Sequence, residues 1–495
     1  MIHIFKVAGF TFLQAAVSTL MALAIGLPAA FFCGRRKFHF QKILMSLSVV
    51  PFCVPSLIIA LGYVSFLGIN GALNQFLSFI FGFSEPPVKI LYSFAGLIIA
   101  QGFYNFPLIM KNVASAWEQL PSEPAESAKL LGAGKFRIFR TVTIFQLLPA
   151  ISSASLLVFI YCFLSFILVL LFGGIGNSTL EVEIYKAARA SLNFKEAGIL
   201  AITETLILCL VTAIYCLIEQ KSSEKNKGLK SKLNEKTPLS GFCEISIFVI
   251  LILIILIFFI APLLGIAVNA FTSSRQGSYG FTLETFKKVV KMRSFLPSVK
   301  TTILTATGTG FFCTIIGFLY ATFFRFSENK LSKTGKIILK TLPMIPMCIS
   351  SVVAGMIIMM IVHRGNGFCL IIAQVALSWP LAFKIISPNM EKITAKTLDS
   401  AKLLSKNKID IIFRIIIPQN KKSLVSAFGF CFAVSAGDTT LPLVLAIPNF
   451  NTLSLFTYRL ASSYRFNEAC AAGLILAILC ALIFGFSTEF QKERI

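Results

Sequence analysis

The sequence predicts an all-α, polytopic membrane protein, about eleven transmembrane helices arranged as two parallel five-helix repeats plus one connecting helix. Three observations predict it: a charge-poor composition, apolar runs that alternate with basic loops, and an internal repeat held in one register. Of 495 residues, 56% are hydrophobic and 13% charged, and the mean hydropathy is +0.83. Soluble domains run at about 45–50% apolar and about 25% charged. The excess here is gathered in long runs, as a bilayer requires, and not spread through one core.

Eleven runs read as spans: 8–33, 43–69, 91–112, 150–172, 197–218, 244–270, 298–324, 337–361, 366–387, 421–446 and 468–486. Each is near the ~20 residues a helix needs to cross hydrocarbon. Gln374 and Pro380 interrupt the ninth. The first run follows only His3 and Lys6 and leads straight into Arg35-Arg36-Lys37 with no small-residue cleavage site. It reads as a retained helix, not a signal peptide.

The formal charge of +24 sits in particular loops. Arg35, Arg36, Lys37 and Lys42 follow the first span. Lys221, Lys225, Lys227, Lys230, Lys232 and Lys236 follow the fifth, Arg325, Lys330, Lys333 and Lys336 the seventh, and more lie in 388–422. These loops alternate down the chain, so the positive-inside rule puts them in the cytoplasm, with the N-terminus outside and the C-terminus inside. One outer loop, 271–297, dissents, with Arg275, Lys287, Lys288, Lys291 and Arg293. No basic stretch has aromatic interleaving or a recognition motif, so nucleic acid is not an expected partner. Membrane lipid is.

The twelve cysteines lie mostly inside apolar runs, form no C-x-x-C pair, and are accompanied only by His3, His39 and His363. No disulfide framework or metal site is expected. The chain has no G-x-x-x-x-G-K-[ST] phosphate loop and no constellation suited to bond-making chemistry. No catalytic residue and no cofactor is expected on this chain.

The repeat has an offset of 273 residues. Leu97-Ile98-Ile99-Ala100-Gln101 recurs as Leu370-Ile371-Ile372-Ala373-Gln374, and Pro107-Leu108 and Lys111 as Pro380-Leu381 and Lys384. Ser127-Ala128-Lys129-Leu130-Leu131 recurs as Ser400-Ala401-Lys402-Leu403-Leu404, and Thr179-Leu180 and Tyr185 as Thr452-Leu453 and Tyr458. Apolar composition does not repeat Gln, Pro, Lys and Tyr in one register. Each unit holds five spans entered from the outside, and 244–270 restores the sidedness, so the repeats are parallel. Many ion-coupled carriers are built from inverted repeats instead, although parallel repeats occur among them. The organisation read from this is a first transmembrane domain 1–218, a basic cytoplasmic linker 219–243, a connecting span with its outer loop 244–297, and a second transmembrane domain 298–495.

The cytoplasmic segment from Glu118 to Pro149 is longer than a span connection requires. Ser122 and Pro124 suit a helix start, with acids favoured at that end. Ala125 to Leu131 is then a short helix ended by Gly132 and Gly134. Phe136, Phe139 and Val142 follow on one face before Pro149. The matching loop carries Asp399, Ala401 and Leu404, then Ile412, Ile415 and Pro418. A small residue such as Ala128 or Ala401 lets a partner backbone approach, the carboxylates of Glu126 and Asp399 offer charge-assisted hydrogen bonds, and Leu131 and Leu404 can anchor in an apolar groove.

Glu126-x-Ala128-x-x-x-Gly132 with Phe139, Val142 and Pro149 resembles the EAA loop of bacterial ABC-importer permeases. The second copy departs from it, with Asp399 for the glutamate and Ser405 for the glycine, and each half keeps one of two family prolines, Pro149 and Pro418. The resemblance runs from Phe10 to the last span. Within the fused permeases it is similar to the thiamine-importer type, with ferric-iron importers as near relatives, through Phe106-Pro107-Leu108, Gly173-Gly174 with Thr179 to Tyr185, Ser435-Ala436-Gly437-Asp438 and Ser462-Ser463-Tyr464-Arg465. Thiamine-type chains carry one further N-terminal span, whose absence is expected to leave transport intact.

The resemblance implies a permease of the bacterial inner membrane. It implies ATP-binding cassette subunits, one per coupling loop, that hold the ATP and Mg, and an extracytoplasmic substrate-binding protein that docks on the outer loops. Thiamine and its phosphates are the implied cargo. A ferric-iron or other small-solute importer is the alternative, and an ion-coupled secondary transporter a further one. Asp438, an acid close to the membrane, and its repeat counterpart Ser165 are candidates for the translocation path. Asp438 as a helix cap is the competing reading of the same residue.

Overall fold

The computed structural model describes residues 2–174, 178–226, 236–272, 281–327, 332–362, 365–393, 395–405 and 407–492. Lys227, Lys230, Lys232, Arg275, Lys330 and His363 of the sequence reading lie outside the described residues. The chain divides into two compact units: Met1–Pro51 with Ile59–Val268, and Phe52–Ile58 with Asn269–Ile495.

Helix occupies each of the eleven apolar runs. Among the described residues, eight helices are long and apolar enough to cross a membrane, or nine if Ile338–Cys348 and Ser351–Ile361, bent by 74°, form one broken span. Two more helices, Phe94–Glu118 and Ile417–Gly437, carry Gln101, Asn105 and Lys111, or Gln419 to Lys422, and so fall outside that set. The second span differs from expectation. The run 43–69 contains Pro51 and Pro55, and proline removes a helical donor and clashes with the preceding turn. The chain there forms only short helical pieces to Cys53, and the apolar span Ser56–Phe81 starts beyond them as two helices, Ser56–Leu67 and Ala72–Phe81, joined by a turn.

In the first unit the helix Ile2–Arg35 packs most extensively on Phe94–Glu118. Gly26 permits it, because a Cβ there would lie 2.9 Å from Ile109. In the second unit Phe295–Ser327 packs on Gly367–Glu391 in the same way, with Gly317 against Ala382 at 2.9 Å. Buried hydroxyls repeat as well. Thr11 Oγ1 accepts from the Leu180 N–H at 3.0 Å, and Thr302 Oγ1 from the Leu453 N–H at 2.7 Å. Ser18 donates to Gln101 Oε1 at 2.7 Å, and Thr309 to Gln374 Oε1 at 3.0 Å. In hydrocarbon such bonds satisfy hydroxyls that would otherwise have no water to bond. The connecting helix Phe242–Phe271 is covered within the first unit for most of its length. Phe248 meets Phe32, Phe258 stacks on Phe103, Phe259 meets Phe106, and Tyr63 donates to the Phe258 carbonyl at 2.7 Å.

Among the described residues, three π-helical turns lie within the repeated units and a fourth, Leu256–Ile260, in the connecting helix. Phe139–Thr143 and Ile412–Ile416 match at offset 273, directly after the short helices Lys135–Ile138 and Lys408–Ile411. A third, Lys186–Ala190, is present in the first half, where the second has the α-helix Leu453–Ser462. A π turn accommodates one extra residue. Beyond it the register is accordingly 272: Phe194, Glu196 and Ala197 match Phe466, Glu468 and Ala469.

Candidate functional site

Each coupling loop is fixed where it leaves its spanning helix. Glu118, the last residue of Phe94–Glu118, accepts from Lys236 Nζ at 2.6 Å, and that lysine also donates to the Cys33 carbonyl at 3.0 Å. Its repeat counterpart Glu391, the last residue of Gly367–Glu391, accepts from Lys340 Nζ at 2.7 Å. Around the first pair, Arg36 is ion-paired with Glu244, donates to the Thr237 hydroxyl and lies over the Phe31 ring at 5.5 Å. Arg36-Lys37 also pairs in parallel with Thr237-Pro238. The end of the basic linker is thereby fastened to the first unit.

These partly exposed pairs are worth under about 1 kcal/mol each in stability. Their effect is positional. Glu391→Gln is expected to speed amide exchange over 392–405 several-fold, and Glu118→Gln over 119–134, with global unfolding shifted by less than about 1 kcal/mol. Hydrogen-exchange mass spectrometry checks this, and exchange unchanged in both loops would overturn it.

The first coupling helix, Glu123–Leu130, has Pro124 and two acids, Glu123 and Glu126, in its first turn, and Lys129 in its last. Both charges suit the helix dipole. Ser122 stands at the N-cap but makes no side-chain cap, because its backbone is already helical (φ −78°, ψ −28°) and an N-cap needs extended geometry. The far end closes on Gly132 at φ +81°, with the Ala133 N–H bonded to the Ala128 carbonyl at 3.0 Å. A Cβ at Gly132 would meet nothing within 4 Å, so backbone conformation selects glycine there, not space. The second helix, Ala395–Leu404, ends with the Ser405 N–H on the Ala401 carbonyl at 3.0 Å, and Ser405 is not among the left-handed residues. That accounts for serine in place of glycine.

Both loops present leucine pairs to solvent. Leu130 and Leu131 are 90% and 89% exposed, Leu403 and Leu404 88% and 89%. Glu126 and Asp399 are exposed beside them. The small residues differ: Ala128 is half-buried, whereas Ala401 is buried, 3% exposed. Phe139 of the first π turn stacks on Trp117 at 6.1 Å, and the matching positions are Ile412 and Met390. Burying one such leucine releases about 1.5–3 kcal/mol. That exposure is what a docking surface requires.

Ser165 and Asp438 both stand where the fourth helix of their half breaks, between Ile144–Phe163 and Phe166–Phe172, and between Ile417–Gly437 and Thr440–Leu445. Asp438 Oδ1 accepts from the N–H groups of Thr440 at 3.0 Å and Leu441 at 3.3 Å, and Oδ2 from Gln374 Nε2 at 3.2 Å. Gln374 is the hub. Its Oε1 also accepts from Ser435 at 2.6 Å, and its Nε2 donates to the Ser435 carbonyl at 3.3 Å. In the first half a serine stands in place of the aspartate, and among the described residues Gln101 Nε2 has no hydrogen-bond partner. The repeated pentapeptide pointed to these glutamines, but no sequence signal identified their partners.

Between the fourth and fifth spans, Glu183 accepts from Lys186 Nζ at 2.9 Å, with His3 3.9 Å away. Burial raises its carboxyl, but hydrogen bonds from Ser178 and Lys186 and the charges of Lys186 and His3 outweigh it and hold the group below its ordinary value.

Comparison with known proteins adds to this geometry. The profile of the family described as binding-protein-dependent transport system inner membrane component matches residues 26–221 and again 314–495. The thiamine transport system permease protein ThiP of Escherichia coli (strain K12) is 24% identical over 498 aligned residues, covering 97% of this chain and 88% of that protein. The protein of the same description from Haemophilus influenzae is 25% identical over the same shares. A bacterial alginate ABC transporter, solved with an alginate pentasaccharide-bound periplasmic protein, aligns at TM-score 0.41 and 16% identity over 51% of this chain and 94% of that one.

Proposed function

The chain belongs to the family of binding-protein-dependent transport system inner membrane components, and from that premise we propose that it admits thiamine or its phosphates to the cytoplasm. It is a multi-pass importer permease and not itself an enzyme. The observation that carries the substrate is the similarity to thiamine permeases over 97% of the chain, through both halves.

In this reading the ATP and Mg reside on separate ATP-binding subunits, two copies, one on each leucine pair. Closure of those subunits draws the coupling helices together. The halves then switch between outward and inward access, as a two-state device does. A soluble binding protein delivers cargo from outside, to the loops 173–195 and 447–467. Ser165 and Asp438, at the matched breaks, are assigned to the path. The N-terminus lies outside and the C-terminus in the cytoplasm, as the basic loops require.

The test is the small molecule that co-purifies with the partner binding protein. Thiamine or a thiamine phosphate is expected, and bound iron would overturn the substrate. Uptake by cells carrying the chain is expected to stop when the ATPase is deleted. Uptake that survives the deletion and collapses with an uncoupler would overturn the importer mechanism.

A further inference from the structure

We propose that the helix Glu284–Lys291 is a binding surface for anionic phospholipid headgroups at the outer face of the membrane. It belongs to the one basic loop that runs against the positive-inside pattern, and the transport cycle makes no use of it. The proposal rests on the sidedness given above.

The helix is firmly seated in the second unit. Thr285 and Val289 are buried, and Thr285 donates to the Thr272 carbonyl at 3.4 Å. The Phe271 ring stacks on Phe281 at 4.7 Å and meets Phe286 at 4.9 Å, and Asn467 donates to the same Thr272 carbonyl. At 100° per residue the remaining positions fall in order around the axis. Opposite the buried Thr285 and Val289 stand Lys287 and Lys291, both exposed. One flank carries Glu284 and Lys288, 3.6 Å apart. The other flank is apolar and open, with Leu283 53% and Val290 47% exposed.

This arrangement fits an interfacial helix, one flank in the acyl boundary and a cationic edge among the phosphates. The bilayer is the occupant the neighbours favour. The helix runs through a bonded turn, Met292 N–H to the Val289 carbonyl and Phe295 N–H to the Met292 carbonyl, into the spanning helix Phe295–Ser327. That helix exposes Leu296 at once, then Leu304 and Phe311, so its apolar surface begins where this flank ends. Arg293, also exposed, adds a fourth cation at the junction.

A lysine beside an anionic surface contributes a factor of roughly five in affinity. The purified chain carrying K287Q, K288Q and K291Q is therefore expected to retain phosphatidylglycerol on the order of a hundredfold more weakly in native mass spectrometry. Phosphatidylcholine retention is expected to stay unchanged, and K287R, K288R and K291R together to restore the wild-type pattern. Equal phosphatidylglycerol retention by the wild type and the Gln variant would overturn the site. So would a Gln variant whose only defect, in phosphatidylcholine vesicles, is weaker binding-protein association, because the face would then belong to that protein. The lipid readout needs neither ATPase nor substrate, so it fails or succeeds independently of the transport reading. Labelling of K291C by a membrane-impermeant maleimide in intact cells tests the sidedness separately, and labelling only after permeabilisation would overturn the outer placement.

Discussion

Membranes carrying Leu131→Ser together with Leu404→Ser are expected to hold normal amounts of the chain yet lose capture of the ATPase subunit by more than about a hundredfold. Each leucine, close to 90% exposed, forfeits about 1.5–3 kcal/mol of burial in the complex, where 1.4 kcal/mol is about tenfold. Folding of the permease itself should not suffer, since neither side chain packs in the free chain. The single variants should be unequal. Ala401 is buried and cannot receive a partner backbone, whereas Ala128 is half-exposed at the matching position. Leu131→Ser should therefore weaken capture several-fold more than Leu404→Ser. Replacing Glu126 and Asp399 by their amides removes charge-assisted bonds worth about 1.5–3 kcal/mol, a smaller loss. Pull-down of the ATPase from solubilised membranes reads all of these. Full recovery with the double leucine variant would remove the coupling assignment.

Gln374→Leu is expected to destabilise the second half by about 2–4 kcal/mol, and Gln101→Leu by about 1 kcal/mol or less. The two residues hold the same place in the repeat, so composition alone gives no reason for a difference. The difference lies in their partners. Gln374 serves Thr309, Ser435 and Asp438 together, and removing it takes the acceptor from two buried hydroxyls and a donor from the part-buried carboxylate. A single interhelical hydrogen bond in a membrane averages only about 0.6 kcal/mol, but each stranded polar group adds about 1–3 kcal/mol. Gln101 holds Ser18 and leaves its own amide nitrogen unused among the described residues. Thermal unfolding in detergent compares the two variants, and equal losses would show that the hub does not distinguish the halves.

Much of this was legible in the residues, for identifiable reasons. Spans announce themselves because lipid imposes one composition on about twenty residues at a time. The coupling helices show because their signals are local: Pro124 and two acids at one end, Gly132 at the other. Ser122 carried a similar signal and misled, since the residue type favours capping but the backbone geometry decides it. The second span misled in another way, for hydropathy summed across 43–69 is blind to the break that Pro55 imposes. Least legible were the long-range partners. Glu118 meets a lysine from the linker, and Glu391 a lysine from a preceding helix. Equivalent acids thus have inequivalent sources of charge, and a repeat search keyed to identical residues passes over both. The same search ended at Tyr185 because a single offset cannot cross the turn that follows.

That turn also carries a record of descent. A π turn is the trace that one inserted residue leaves in a helix. The turns at Phe139–Thr143 and Ile412–Ile416 occupy equivalent places in both halves, as an insertion made before a half-length unit was duplicated would leave them. Among the described residues the turn at Lys186–Ala190 stands in one half alone, as one residue gained by that half or lost from the other after the duplication would leave it. The two halves thus keep one register through Tyr185 and Tyr458 and differ by a single residue beyond.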